Sequence, residues 1–189
     1  INPMCGSGTL AIEAALIASN KTPGLIRENF GFMHMTGFDE KKFLLLKKEL
    51  AEKVDRESKP QIIASDRDRS ALSAAKENAK LAGVDHLIQF MQCEFDETKI
   101  SEEKGVIIFN PPYGERLGAT DELKKLYSDI GNFLKQKAAG YFGYVFTANM
   151  ELAKNIGLKP KSKKNFLNGA LECKLLEFDM YEGSKKVKQ

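Results

Sequence analysis

The sequence predicts an α/β fold: a doubly wound, mostly parallel sheet with helices on both faces and a C-terminal antiparallel hairpin. Three observations carry this expectation. Short apolar runs alternate with longer segments of helical period, the pattern of repeated βαβ units. A glycine turn, Gly6-Ser7-Gly8, leads directly into a segment of good helix formers. Near the end, Asn168-Gly169 separates two extended runs, which is a hairpin signal.

Taken in order, Ile1 is the remnant of a first strand, and Asn2-Pro3-Met4-Cys5-Gly6-Ser7-Gly8-Thr9 opens a helix over residues 10–17. Glycines in such a turn let a ligand approach the backbone and leave N–H groups at the helix start. Ala11 stands where a third glycine would complete the dinucleotide-type pattern, and its small side chain still permits close packing. Alone, the turn also reads as purely structural. Residues 21–38 form an irregular connection. A charged helix then runs from Asp39 to about Arg56, with Phe43, Leu46, Leu50 and Val54 as its packing stripe.

The second strand, 61–65, closes on Asp66-Arg67-Asp68, and a helix from about Ser70 to Ala82 stops at Gly83. An acid at the end of the second strand of such a fold accepts from both ribose hydroxyls of an adenosine ligand. Asp66 is the candidate; Asp68 reads equally as the N-cap of the helix. The third strand, 87–92, ends in Cys93-Glu94-Phe95, an acid and a ring that suit an adenine as well as a plain surface and core.

The fourth strand, Val106-Ile107-Ile108-Phe109, is followed by Asn110-Pro111-Pro112-Tyr113. Consecutive prolines donate no ladder bonds, so the strand must stop there. An amide, a proline-fixed carbonyl and an aromatic ring make a clamp for a flat molecule bearing an –NH2 group. Residues 114–118 form a covering loop, and Thr120 caps a helix with Leu123, Leu126, Ile130, Phe133 and Leu134 on one stripe. A fifth strand (141–147), a short helix (150–156) and a hairpin of 166–167 against 171–181 complete the chain.

Composition places the chain among globular domains, 42% hydrophobic and 29% charged, with no apolar run near the ~20 residues of a membrane span. Three scattered cysteines (Cys5, Cys93, Cys173) argue for reduced thiols and a cytoplasmic setting rather than a disulfide framework. Neither His34 nor His86 has a partner at metal-ligand spacing, so no metal is expected. The net charge is only +3, but Lys154, Lys159, Lys161, Lys163 and Lys164 cluster, as do Lys185, Lys186 and Lys188. Such clusters attract phosphate, or form a solvated face and a frayed tail. The absence of an initiating Met, with a glycine motif at the very start, reads as a piece of a longer protein.

Through these residues the chain resembles the class I, Rossmann-like S-adenosylmethionine-dependent methyltransferases. More narrowly it is similar to the THUMP-associated guanine-N2 methyltransferases of bacterial large-subunit ribosomal RNA, long labelled N6-adenine-specific DNA methylases. The resemblance rests on residues 2–9, on Asn110-Pro111-Pro112-Tyr113-Gly114-Glu115-Arg116-Leu117, and on Phe166-Leu167-Asn168-Gly169. It implies one catalytic domain over residues 1–189, with a THUMP-type RNA-binding region upstream. It places the cofactor's methionine moiety beside Asn2, Pro3, Met4, Cys5, Gly6, Ser7 and Gly8. The ribose falls on Asp66, and the adenine near Arg67, Glu94 and Phe95. Asn110 lies beside the cofactor and, with the Pro111 carbonyl, accepts from the target amine; Pro112 stiffens the turn and Tyr113 stacks on the base. S-adenosylhomocysteine is the product and ribosomal RNA the partner. The family usually carries Asp at the position of Asn2, so a negative charge near the cofactor's ammonium is missing here, which bears on affinity. DNA adenine N6, a protein glutamine and a non-catalytic cofactor- or RNA-binding role remain as alternatives.

Overall fold

A computed structural model describes residues 1–101, 103–114 and 121–181. The expected 115–118 loop, the Thr120 cap and the lysines of the tail lie outside these residues. The strands are β1 (Asn2–Pro3), β2 (Ile62–Asp66), β3 (Ile88–Gln92), β4 (Val106–Phe109), β5 (Phe142–Thr147), β6 (Ser162–Asn168) and β7 (Leu171–Asp179). The helices are α1 (Thr9–Ala18), α2 (Glu40–Glu52), α3 (Arg69–Ala82), α4 (Asp121–Lys137) and α5 (Met150–Ala153). The architecture is the expected α/β one, mostly parallel with an antiparallel pair near the C-terminus.

The chain divides into two compact units. The first holds Ile1–Met4, Ser65–Arg67 and Gln92 onward; the second holds Cys5–Ala64 and Asp68–Met91. The strands form the sets β1-β2-β3 and β4-β5-β7-β6. In the first unit Ile1 joins the two sets: its N–H donates to the Val106 carbonyl (2.7 Å), and Ile108 N–H donates to the Ile1 carbonyl (2.9 Å). The carboxyl ends of β3, β2, β1, β4 and β5, all in the first unit, therefore follow one another, and β7 and then β6 continue the sheet beyond β5. β4 and β5 are parallel, whereas β7 runs antiparallel to both β5 and β6.

The core of the first unit lies between α4 and the strands. Tyr127, Ile130, Phe133 and Leu134 of α4 pack with Ile107, Phe109, Val145, Leu176 and Phe178. The stripe anticipated for this helix is the face that is buried. Asp121 and Glu122 in its first turn and Lys135 and Lys137 in its last complement the helix dipole. At Gly131 the backbone of Ile156 comes so close that a Cβ would collide with its carbonyl oxygen.

In the second unit, Ala11, Ala15 and Leu16 of α1 cluster with Leu72, Ala75, Ala79 and Ala82 of α3. The small residues allow close approach: a Cβ on Gly8 would lie 2.9 Å from that of Ala75. Asp68 caps α3 through Ser70 N–H (2.7 Å) and Ala71 N–H (3.3 Å), and left-handed Gly83 (φ 62°) ends it.

Two expectations shift. The second helix stops at Glu52, and its stripe is not core: no residue of α2 is buried and Leu46 is 50% exposed. Phe43 packs instead with Phe30, Phe32 and Phe38 of the preceding connection. Periodicity reported the sidedness of the helix, not what lies against it. The hairpin's first strand also begins earlier, at Ser162, because its polar residues carry no apolar alternation to announce it.

Replacing Gly131 by Ala should destabilise the protein by about 3 kcal/mol, since a helix must separate from a backbone carbonyl. A fall in the urea midpoint checks this, and an unchanged midpoint would refute the close packing.

Candidate active site

The site is built at the carboxyl ends of β1, β2, β3 and β4, all within the first unit. Asn2 is only 3% exposed. Its Nδ2 donates to the Ile108 carbonyl (2.9 Å), tying β1 to β4, while its Oδ1 is buried without a hydrogen-bond partner. An orphaned buried acceptor costs free energy of the order of 1–3 kcal/mol until a donor reaches it. The next residues turn sharply: Met4 sits at φ 61°, a conformation L side chains rarely adopt. Cys5 to Gly8 continue into the second unit. There Cys5 is buried, the Gly6 backbone (φ 56°) has nothing within 4 Å of where a Cβ would stand, and Ser7 accepts from Asn78 Nδ2 (3.0 Å). Gly8 caps α1 at φ 87° with no side-chain bond to the first turn.

Asp66 ends β2, and its carbonyl accepts from Cys93 N–H (3.3 Å) at the end of β3. Beside it Arg67 faces Glu94 across 3.9 Å, and Glu97 Oε2 accepts from Glu94 N–H (3.3 Å) in a 3-10 turn. Phe95 is half-buried; its ring stands edge-on to Phe109 and Phe133, 5.9 and 6.0 Å between centroids. Glu94, Phe95 and Asp96 line a cavity of about 410 Å³ whose other wall is α4, through Asp129 and Asn132. Underneath, Ser65 and Thr98 share a buried 2.6 Å hydrogen bond.

At the end of β4, Asn110 and Pro112 are exposed, Pro111 is buried and Tyr113 is half-buried. The Tyr113 hydroxyl donates to Asn110 Oδ1 at 2.5 Å. A carbonyl oxygen has two lone pairs, so the amide keeps one acceptor site for a further donor. The Tyr113 ring lies edge-on to Phe146, 6.3 Å between centroids.

The supports of this turn were not anticipated. Tyr127, wholly buried on α4, shares a hydrogen bond with Thr147 Oγ1 (2.8 Å) and donates to the Pro112 carbonyl at 3.4 Å. Asn149 Nδ2 donates to the Tyr113 carbonyl (3.0 Å), while its Oδ1 caps α5 and its own N–H bonds to Thr147 Oγ1. Asn149 ahead of a short helix is a cap signal, and Tyr127 falls among the stripe residues of α4. A buried phenol needs an internal partner, and that requirement was the available hint. Among the described residues no group of three or more His, Cys, Asp or Glu could hold a metal, and no helix is long and apolar enough to cross a membrane.

Comparison with known proteins gives these positions a family. The family model for the RMKL-like methyltransferase domain matches residues 1–177. The chain belongs to this family. A ribosomal RNA large subunit methyltransferase K/L from Syntrophotalea carbinolica is 43% identical over 188 residues, covering 96% of this chain and 26% of the relative. Among solved structures, SMU.472, a methyltransferase candidate in complex with SAH, superposes with a TM-score of 0.87 at 29% identity, over 97% of this chain and 48% of that one. A methylase candidate from Clostridium difficile 630 reaches 0.86 at 37% identity, over 100% and 48%. The chain thus spans about a quarter of the length of the K/L relatives.

Burial raises the Tyr127 hydroxyl from 10.0 to about 12, the hydrogen bond from Thr147 opposing the shift in part. Because the folded state holds this proton more tightly, its stabilisation is complete below pH 10 and is lost as pH rises toward 12. Unfolding free energy should fall across that window, and less steeply in a Tyr127→Phe variant. Equal slopes in denaturant titrations at pH 9.5–11.5 would remove Tyr127 from the account.

Proposed function

We propose that this chain transfers a methyl group from S-adenosylmethionine to an exocyclic amine of a nucleobase, guanine N2 of large-subunit ribosomal RNA. The observation that carries the reading is the Asn110 amide, exposed at a strand end that Pro111, Tyr127 and Asn149 hold in place. The residue types fit the cofactor. Asn2 Oδ1 is an unsatisfied acceptor suited to an ammonium, Asp66 at the end of β2 is a carboxylate suited to two ribose hydroxyls, and Arg67, with Glu94 and Phe95 after β3, suits an adenine. Pro3, Met4 and Cys5 to Gly8 supply the turn around the methionine moiety. The relatives' names support the RNA target, and the SAH held by SMU.472 supports the cofactor. The same reading makes residues 1–189 a catalytic domain working in the cytoplasm beside a THUMP-type region that delivers RNA.

When bound, S-adenosylmethionine supplies a methyl group made electrophilic by its sulfonium. The target nitrogen is a poor nucleophile because its lone pair is delocalised into the ring. Asn110 Oδ1 and the Pro111 carbonyl would each accept one amine hydrogen, pulling the nitrogen toward tetrahedral geometry and directing the lone pair. These bonds strengthen as the amine gains positive charge, so they stabilise the transition state more than the ground state. Holding the amine in line contributes further. The proton that is lost leaves after methylation from a far more acidic nitrogen, and no strong base is needed. Stacking of the extruded base on Tyr113 offsets its unstacking, at ~1–3 kcal/mol. For this the Tyr113 hydroxyl must leave Asn110 or share its oxygen.

Incubation with labelled S-adenosylmethionine and unmodified ribosomal RNA should yield N2-methylguanine. Labelled N6-methyladenine in its place would overturn the guanine assignment. Asn110→Ala should bind the cofactor as tightly by calorimetry yet turn over about 100-fold or more slowly, the scale of losing one aligned polar group. Unchanged turnover would refute the clamp.

A further inference from the structure

The hairpin β6–β7 projects past the end of β5. β5 ends at Thr147, which pairs with Lys174, whereas β7 begins at Leu171 and β6 ends at Asn168. Three residues of each hairpin strand therefore extend beyond β5, roughly 10 Å at the rise of an antiparallel strand. They extend on the edge where β4 delivers Asn110, because β4 and β5 are parallel. The first β6 residue past this edge is Phe166.

Register also fixes the face. Phe146 pairs with Leu175 and Leu175 with Lys164, so Phe146, Lys164 and, two residues on, Phe166 share one side of the sheet. Val145 and Thr147 point to the other side and are buried. The rings form a ladder that starts in the clamp. Tyr113 stands 6.3 Å from Phe146, and Phe146 stands 6.0 Å from Phe166 at 73°. Phe166 remains 47% exposed, beside a cavity of about 290 Å³ bordered by Asn165, Leu167, Cys173 and Lys174. Lys163 and Lys164 are exposed and have no acidic partner among the described residues, unlike Lys161, which pairs with Glu177 and Asp179.

We propose that Phe166, with Lys164 beside it, is a stacking subsite for a nucleotide flanking the target base. The proposal rests on the nucleobase reading of the clamp. An exposed ring continuous with the Tyr113 platform suits a second base of the same strand, and an unpaired ammonium on the same face suits its phosphate. A lone exposed phenylalanine is ordinary; one joined ring by ring to the clamp, past the end of β5 and on the face of Lys164, which has no acidic partner among the described residues, is not. The site reads no sequence, since every base has a face to stack.

The test measures binding of fluorescein-labelled single-stranded RNA with a central guanine to the S-adenosylhomocysteine-loaded protein. Phe166→Ala should weaken binding about 10-fold, the loss of one stacked base, and Phe166→Trp should restore it. The loss should vanish on an RNA whose nucleotides flanking the guanine are abasic. Lys164→Gln should reduce the salt slope of binding by about 0.7. Calorimetric affinity for S-adenosylhomocysteine should stay unchanged in all three variants, which excludes misfolding. If the parent protein binds RNA and Phe166→Ala matches it on both RNAs, the subsite is wrong and the nucleobase reading stands. If the parent protein binds S-adenosylhomocysteine but no RNA, the RNA reading fails and this site with it. A loss on both RNAs alike, accompanied by a changed sedimentation coefficient, would assign Phe166 to a protein contact and overturn the proposal.

Discussion

A phenol hydroxyl cut off from solvent has to find its hydrogen bonds inside the protein, and Tyr127 finds them in Thr147 and the Pro112 carbonyl. This one requirement joins the centre of α4, the end of β5 and the turn after β4. Asn149 adds a second tie from the same β5–α5 corner to the next carbonyl. Prolines alone would stiffen the turn but would not aim it. Their missing N–H groups end β4, and bonds to α4 and the β5 corner set the direction in which the chain leaves the strand. The proposed methyl transfer to an amine depends on direction more than on acid or base strength, and these ties supply direction.

The fold was legible where local chemistry decides it. Asp68 as a cap, Gly83 as a stop, the prolines after Phe109 and Asn168-Gly169 in the hairpin all act through neighbours a few residues away. The same holds for Asp66 and Glu94, whose place at strand ends comes from where the apolar runs stop. The features that could not be read span distance. Tyr127 lies 20 residues from Thr147 and Asn149 lies 36 from Tyr113, so their meeting is a product of packing. The stripe of α2 shows the converse limit. Leucines at helical spacing announce a face, but Phe43 meets other rings in a partly exposed cluster instead of entering the core. The hydroxyl of Tyr113 resting on Asn110 was equally out of reach, since a ring rotamer leaves no trace in sequence pattern.

On the proposed reading, Asn2 combines a structural duty with a ligand duty in one amide. The Nδ2 side is committed to the Ile108 carbonyl and keeps β1 against β4; the Oδ1 side waits for a donor. An aspartate there would bring charge but set an acceptor against that carbonyl. The neutral amide thus favours the strand pairing over the strength of the proposed bond to an ammonium.

The exposed lysines of β6 have a consequence beyond the proposed phosphate contact of Lys164. β6 is an edge strand of seven residues, six of them exposed, and its unpaired backbone offers a template for any other extended chain. Lys163 and Lys164 on that edge would bring like charges together whenever two copies met, so they oppose the growth of a continuous sheet between molecules. A chain that traded them for neutral residues would lose this protection and become prone to aggregate as its concentration rose.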